Sequence, residues 1–182
     1  MSKVRFEVKE MTIKIVPVFL LLVAAASNGE TVNPNIENNT PASRYDIHND
    51  GTVTDKVTGL MWQQCSLGQT RQSSDGTTSC EGSVTSYTWD DALSVSLTNS
   101  DYGFSDWRLP DLKELESLAA LDRYSPSINT EVFPDTPGAA FWTSSPSTIF
   151  GFFSWFVGFS YGEVRTDYRN NGLHVRLVRN GS

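Results

Sequence analysis

The chain has 182 residues, 12% of them aromatic and only 19% charged, with a formal net charge of -7. That length suits one domain with a tail, and the aromatic content is ample for a core. The acidic balance argues against nucleic acid, or any strongly anionic molecule, as the default partner.

The N-terminus sets the compartment. Lys3, Arg5, Lys9 and Lys14 precede an apolar run from Ile15 to Ala26 that ends in small residues. This is the layout of a secretory signal peptide over residues 1–26, with a retained anchor as the alternative, and the run is too short for a comfortable membrane span. Met1 and Met11 are both possible starts, and each keeps a basic flank. No Cys follows the run, which argues against lipoprotein anchoring. Cleavage near Ala26 leaves ten basic against nineteen acidic side chains, a charge of -9, and no stable membrane span. The expected location is exported: periplasmic, at the cell surface or secreted. Residues 27–43 are rich in Asn, Thr and Pro with almost no apolar side chain, and read as a flexible linker. Residues 44–182 form the expected domain.

From Tyr45 to Trp62, apolar positions sit among the turn formers Asn49-Asp50-Gly51 and Thr58-Gly59. This predicts two or three short strands joined by tight turns. The Asp46-to-Asp55 stretch fails as a calcium loop: His48 takes the third ligand position and Val57 stands where a bidentate Glu is needed. Cys65 and Cys80 are the two cysteines, and an even count in an exported chain predicts a disulfide. It closes a polar loop from Ser66 to Ser79. A metal site is disfavoured, since His48 and His174 are distant in sequence and no CxxC spacing exists.

A first helix begins at Thr88, which can cap it, with Asp91 three residues on approximating a capping box. Trp89, Ala92, Leu93 and Leu97 form its expected buried stripe. The segment from Gly103 to Leu118 turns from a glycine-led loop into a second helix. Pro110 suits its first turn, Asp111 and Glu114 favour its N-terminus, and Leu112, Leu115, Leu118 and Ala119 share one face. A half-buried Arg108 needs a carboxylate, and Asp106 is the local candidate. Trp62, Trp89, Asp106, Trp107, Arg108, Pro110, Trp142 and Arg176 are read as structural. An irregular, proline-rich connection runs from Arg123 to Ala140. Strands follow at Phe141–Ser144, Ser154–Phe159, Glu163–Tyr168 and Leu173–Arg179, the last alternating Leu173, Val175 and Leu177 with His174, Arg176 and Arg179. Strands, two helices, then strands is an α+β pattern.

Catalytic signatures are absent. There is no Gly-x-Ser-x-Gly elbow, no phosphate-cradling loop and no HExxH motif. Asp90 and Asp91 are adjacent on a helix, point apart and read as solvated surface. The chain therefore reads as no enzyme, with no cofactor. What remains is surface. Phe150, Phe152, Phe153, Trp155 and Phe156 crowd one short stretch, and a strand buries only alternate residues on one face. Some of Phe150, Phe152 and Phe153 should be exposed or covered by a partner. Beside Asp167, Tyr168, Asn170 and Asn171, such aromatic faces suit a sugar, which presents apolar C–H faces and hydroxyls. A two-sided core strand with a loop plug is the alternative.

Five motifs occur in order: Thr58-Gly-Leu-Met-Trp-Gln63, Thr88-Trp-Asp-Asp-Ala-Leu93, Gly103-Phe-Ser-Asp-Trp-Arg-Leu-Pro-Asp-Leu-Lys-Glu-Leu115, Phe141-Trp-Thr-Ser-Ser-Pro146 and His174-Val-Arg-Leu-Val-Arg179. Together they resemble the Lcl C-terminal domain family, over about Tyr45 to Arg179. The resemblance implies an exported bacterial domain with a C-type-lectin-like fold, two helices packed on short antiparallel sheets. The family's namesake is the tip of a collagen-like adhesin that binds sulfated glycans. This chain differs in three ways: it has no collagen-like tract, it is acidic, and Ser96 and Leu177 stand where family members often carry two cysteines. It also lacks the Glu-Pro-Asn or Gln-Pro-Asp loop of calcium-dependent lectins. The resulting expectation is a non-enzymatic binding module for a glycan or surface protein, with Phe150, Phe152, Phe153, Tyr168, Asn170 and Asn171 as ligand-binding residues. The alternative is a structural or protein-interaction domain of an envelope assembly. Formylglycine-generating enzymes share the broad fold, but the cysteine or metal cluster such an enzyme needs is missing.

Overall fold

The computed structural model of the protein describes residues 30–74 and 76–181. The signal peptide expected over 1–26 lies outside the described residues. The stretch expected to be a flexible linker is, from Glu30 onward, fastened to the domain. β1 (Thr31–Val32) pairs with β7 (Arg123–Tyr124). The Glu30 carboxylate accepts from Arg123 and from the Thr130 hydroxyl. Asn39 donates to the Ala119 carbonyl and accepts from the Leu121 N–H, and buried Asn129 donates to the Thr40 carbonyl at 2.8 Å. Composition misleads here because polar side chains, not apolar ones, make the attachment.

Turn chemistry lays out the main sheet as the sequence predicts. β2 (Tyr45–Ile47), β3 (Thr52–Asp55) and β4 (Leu60–Gln63) run antiparallel, and β11 (Val178–Asn180) completes the order β11-β4-β3-β2. Gly51 is required at the first turn. Its φ is +97°, and a Cβ there would lie 2.5 Å from the Tyr102 ring. The loop between the cysteines is a hairpin of β5 (Thr70–Ser74) and β6 (Thr77–Glu81). Polar residues on both faces hid it from hydrophobic periodicity; the Asp75-Gly76 dipeptide was the available signal.

The Cys65–Cys80 disulfide is formed, with a Cα–Cα separation of 5.5 Å and both residues buried. Closing a 15-residue separation restricts the unfolded chain by about 3 kcal/mol in the chain-entropy model. A Cys65→Ser, Cys80→Ser double variant should lose about that much in urea unfolding. An unchanged midpoint would show that the hairpin holds without its staple.

α1 (Trp89–Thr98) is capped by Thr88, whose hydroxyl accepts from the Asp91 N–H. Ala92 and Ser96 are its buried positions, while Leu97 is 76% exposed and falls outside the expected stripe. Ser96 turns its hydroxyl onto the Leu93 carbonyl, which lets a polar residue take the inner place. α2 (Leu112–Glu116) carries a full capping box between Asp111 and Glu114, so Pro110 precedes the cap instead of sitting in the first turn. Leu115, Leu118 and Ala119 are buried as expected. They pack with Val53, Trp62, Phe141, Val157 and Val178 between the main sheet and a second sheet. That second sheet contains β8 (Ala140–Pro146), β9 (Phe153–Gly158) and β10 (Glu163–Tyr168) in the order β10-β9-β8. A further cluster joins Ala92, Trp107, Leu109, Trp142, Val175 and Leu177.

The Asp106-Trp-Arg-Leu-Pro110 segment behaves as a clasp. Arg108 exchanges both backbone hydrogen bonds with Val178. Its guanidinium binds Glu114 bidentately at 2.6 and 2.7 Å, not Asp106 as expected. The capping box already holds the Glu114 carboxylate in place, whereas Asp106 lies at the rim and takes Arg179 at 2.7 Å. Arg179 also lies over the Phe104 ring, 4.1 Å from its centroid. The last expected strand is only partly a strand. Residues 175–178 are all buried, Arg176 included, so alternation fails and regular pairing starts at Val178. Before that, Val175 and Leu177 offer their carbonyls to Leu67 and Gln63, while His174 bonds β8.

Acid should loosen this frame. Burial opposes ionisation of Asp55, but the Arg44 guanidinium, the Thr58 hydroxyl and the Val57 N–H outweigh it and hold its pKa below the ordinary value. Burial likewise opposes the Glu114 charge, and Arg108 with the Asp111 N–H outweighs it. Carboxyls depressed in the folded state contribute stability above the unfolded pKa of about 4 and lose it as pH falls through the folded value. Melting temperature should therefore hold between about pH 5 and 8 and fall below about pH 4. Asp55→Asn should lower the plateau and flatten the acid limb in pH-dependent melts.

Candidate functional site

The surface feature that stands out is one end of the β9-β10 hairpin and the loop leading into it. The register places Phe153 opposite Tyr168, and their rings meet at 4.2 Å with planes 37° apart. Phe150 leans on Phe153 at 5.7 Å. The loop from Ser147 to Phe153 is closed by its own backbone: Ser147 N–H donates to the Phe153 carbonyl, and Phe153 N–H to the Phe150 carbonyl. The Ser147 hydroxyl accepts from the N–H groups of Ile149 and Phe150. Having used its polar groups inward, the loop turns its side chains out. Phe152 is 81% exposed, Ile149 77%, Phe150 59% and Tyr168 57%. Trp155 and Phe156, the other aromatics of the stretch, are half-buried. The exposed-loop expectation is therefore the one the structure adopts over the two-sided plug.

Beside this platform is a cleft of about 410 Å³ lined by Asp90, Gly151, Phe152, Tyr168, Arg169 and Asn170. It brings together three of the expected ligand residues, Phe152, Tyr168 and Asn170. Phe150 and Phe153 do not line it. Asn171 is spent on the turn: its amide donates to Asp167 at 2.8 Å and its N–H to the Tyr168 carbonyl. Asp90, read from sequence as solvated surface, faces the cleft from the first turn of α1, and Arg169 was not singled out at all. Its place directly after an exposed tyrosine strand end, next to Asn170, was the signal.

Arg169 is the best-fixed side chain there. Its N–H donates to the Phe152 carbonyl and its carbonyl accepts from the Trp89 N–H, tying hairpin to helix. Its Nε donates to the buried Ser154 hydroxyl at 2.9 Å, and its guanidinium lies 4.2 Å from the Trp89 ring centroid. Trp89 is held in turn by its own Nε1, which donates to the Thr143 carbonyl. Cation–aromatic stacking of this kind stabilises and orients the charge.

Elsewhere, Tyr124 and Tyr161 stack at 6.1 Å on the surface, at the other end of the same hairpin. Among the described residues, no helix is long and apolar enough to cross a membrane.

These features define a small, disulfide-linked module of short antiparallel sheets and two helices, with an ordered aromatic loop surface. The family model of the Lcl C-terminal domain matches residues 51–179, and the chain belongs to that family. No curated protein matches it.

Proposed function

We propose that this chain is an exported, non-enzymatic binding module of C-type-lectin-like fold that captures a glycan or other cell-surface ligand on the aromatic loop. The observation that carries the reading is the exposure of Ile149, Phe150 and Phe152 on a loop closed by its own hydrogen bonds, with exposed Tyr168 beside it at the end of β10. Apolar area of that size in water is costly unless it is used, and exposed aromatics on rigid scaffolds are where interface energy concentrates. The buried disulfide is compatible with export. The two histidines are occupied by a Thr54 hydroxyl and by the Ser86 hydroxyl and Thr85 carbonyl, an arrangement that supports no catalytic triad.

A second reading, protein capture, draws on β10 as an edge strand: among the described residues it is paired only with β9. A partner strand could add there. A glycan array and a pull-down from envelope extract separate the two. Phe152→Ala should change stability by no more than about 1 kcal/mol and weaken capture in whichever assay is positive. Tyr161→Ala, at the opposite hairpin end, should leave capture intact. Equal loss in both variants would count against a localised site.

A further inference from the structure

We infer that the cleft beside the aromatic loop takes a neutral sugar ring, gripped by Asp90 and Arg169 as an acceptor–donor pair and stacked on Phe152 and Tyr168. The inference rests on the binding-module reading above and adds the ligand's chemistry.

Arg169 has spent Nε on Ser154 and its planar face on Trp89. Its two Nη groups make no hydrogen bond or ion pair with the described residues. The Asp90 carboxylate likewise has no partner among them, and the two charges lie too far apart to form an ion pair with each other. Neighbouring carboxylates are already engaged: Asp91 takes the Thr88 hydroxyl at 2.6 Å and Asp167 takes Asn171. The cleft thus holds one unspent acceptor group, one unspent donor fork and the Asn170 amide, which can do both. Its volume falls within the range of about 300–1,000 Å³ typical of small-molecule sites.

Charge decides the ligand class. An anionic ligand gains Arg169 but must approach Asp90 in a chain whose net charge is -7. A cationic ligand gains Asp90 but meets the fixed guanidinium. A neutral ring with adjacent hydroxyls satisfies both, donating to Asp90 and accepting from Arg169, so neither charge is left buried unpaired. Its apolar C–H face then covers the exposed surfaces of the Phe152 and Tyr168 rings.

Saturation-transfer NMR on the full chain tests this with methyl glycosides of glucose, galactose and mannose, beside glucuronic acid, glucosamine and heparin. At least one neutral glycoside should bind, with an affinity that changes little between low and high salt, because no net charge is transferred. Asp90→Asn, at an exposed position without a side-chain partner among the described residues, should stay folded with a melting temperature lowered only slightly by the lost first-turn charge, and should weaken that glycoside about tenfold, the worth of a hydrogen bond to a charged group. Arg169→Gln should weaken it at least as much. Binding of heparin or glucuronic acid in preference to every neutral glycoside would overturn the inference while leaving the glycan-module reading standing. So would neutral binding that Asp90→Asn does not affect. Absence of binding by any saccharide, with a protein captured through Phe152, would overturn both the inference and its glycan basis.

Discussion

Trp107→Ala should destabilise the domain by about 3–5 kcal/mol, the usual cost of emptying a buried aromatic site. The side chain is 2% exposed. Tyr102 and Phe104 meet it edge-on at 6.5 and 6.0 Å, and it shares a cluster with Met61, Leu67, Trp142, Val175 and Leu177. Its Nε1 donates to the Asp101 carbonyl at 2.9 Å, a hydrogen bond that truncation also removes, leaving that carbonyl only the Phe104 N–H. Against a typical total of roughly 5–15 kcal/mol, that loss threatens folding itself. Trp107→Phe retains most of the volume and should lose clearly less in urea unfolding. Phe152→Ala provides the contrast, because its ring is in solvent and little packing is lost. If Trp107→Ala folds normally but loses capture while Phe152→Ala unfolds, core and site have been assigned the wrong way round.

The difference between those two residues was legible before any coordinates, and the reason is periodicity. Trp107 stands next to a capped helix with Leu112, Leu115 and Leu118 on one face, a pattern that only a core explains. Phe150, Phe152 and Phe153 break the strand period, so some had to face out. The turn residues Asn49-Asp50-Gly51 and Thr58-Gly59 marked β2 to β4 for the same kind of reason: each requires a particular backbone. Where polar groups do the work, the sequence was mute. Glu30, Asn39 and Asn129 fasten the N-terminal stretch through hydrogen bonds across some 80 to 100 residues, and no local pattern encodes such partners. Ion-pair choice failed likewise. Arg108 has Asp106 two residues away and Glu114 six away, and only the capping box shows why the farther carboxylate wins. Ile128, Val132 and Phe133 are fully buried from a connection expected to be irregular. Beyond β7 the connection is largely irregular, but irregular backbone can still deliver core side chains. The cleft was half legible: its aromatics and Asn170 came from composition, whereas Asp90 and Arg169 line the same cleft only because the Arg169 backbone bonds both α1 and the loop.

Arg176 carries the second large effect. It lies wholly buried where strand alternation would turn it outward, and among the described residues no carboxylate pairs with it. One Nη donates to the Gln63 carbonyl at 2.8 Å and the Gln64 carbonyl at 2.5 Å; the other donates to the hydroxyls of Ser66 and Thr136 at 3.0 and 2.7 Å. The guanidinium also lies 4.8 Å from the Phe133 ring centroid. Burial pushes its pKa down to about 9, which still leaves it charged at neutral pH. A single fork thus ties the end of β4, the neighbour of the disulfide, the proline-rich connection and the closing segment. Arg176→Met removes the desolvation cost of the charge, which favours the variant. It also strands two backbone carbonyls that cannot turn away, at about 1–3 kcal/mol each, while the two hydroxyls can rotate to other partners. The loss should win, with a net cost of about 3 kcal/mol in urea unfolding. Arg176→Lys separates charge from geometry. A single ammonium cannot span carbonyls on one side and hydroxyls on the other, so Lys should recover no more than about 1 kcal/mol of the loss. Full recovery by Lys would mean that the buried charge alone matters, and wild-type stability in the Met variant would mean that the fork is dispensable.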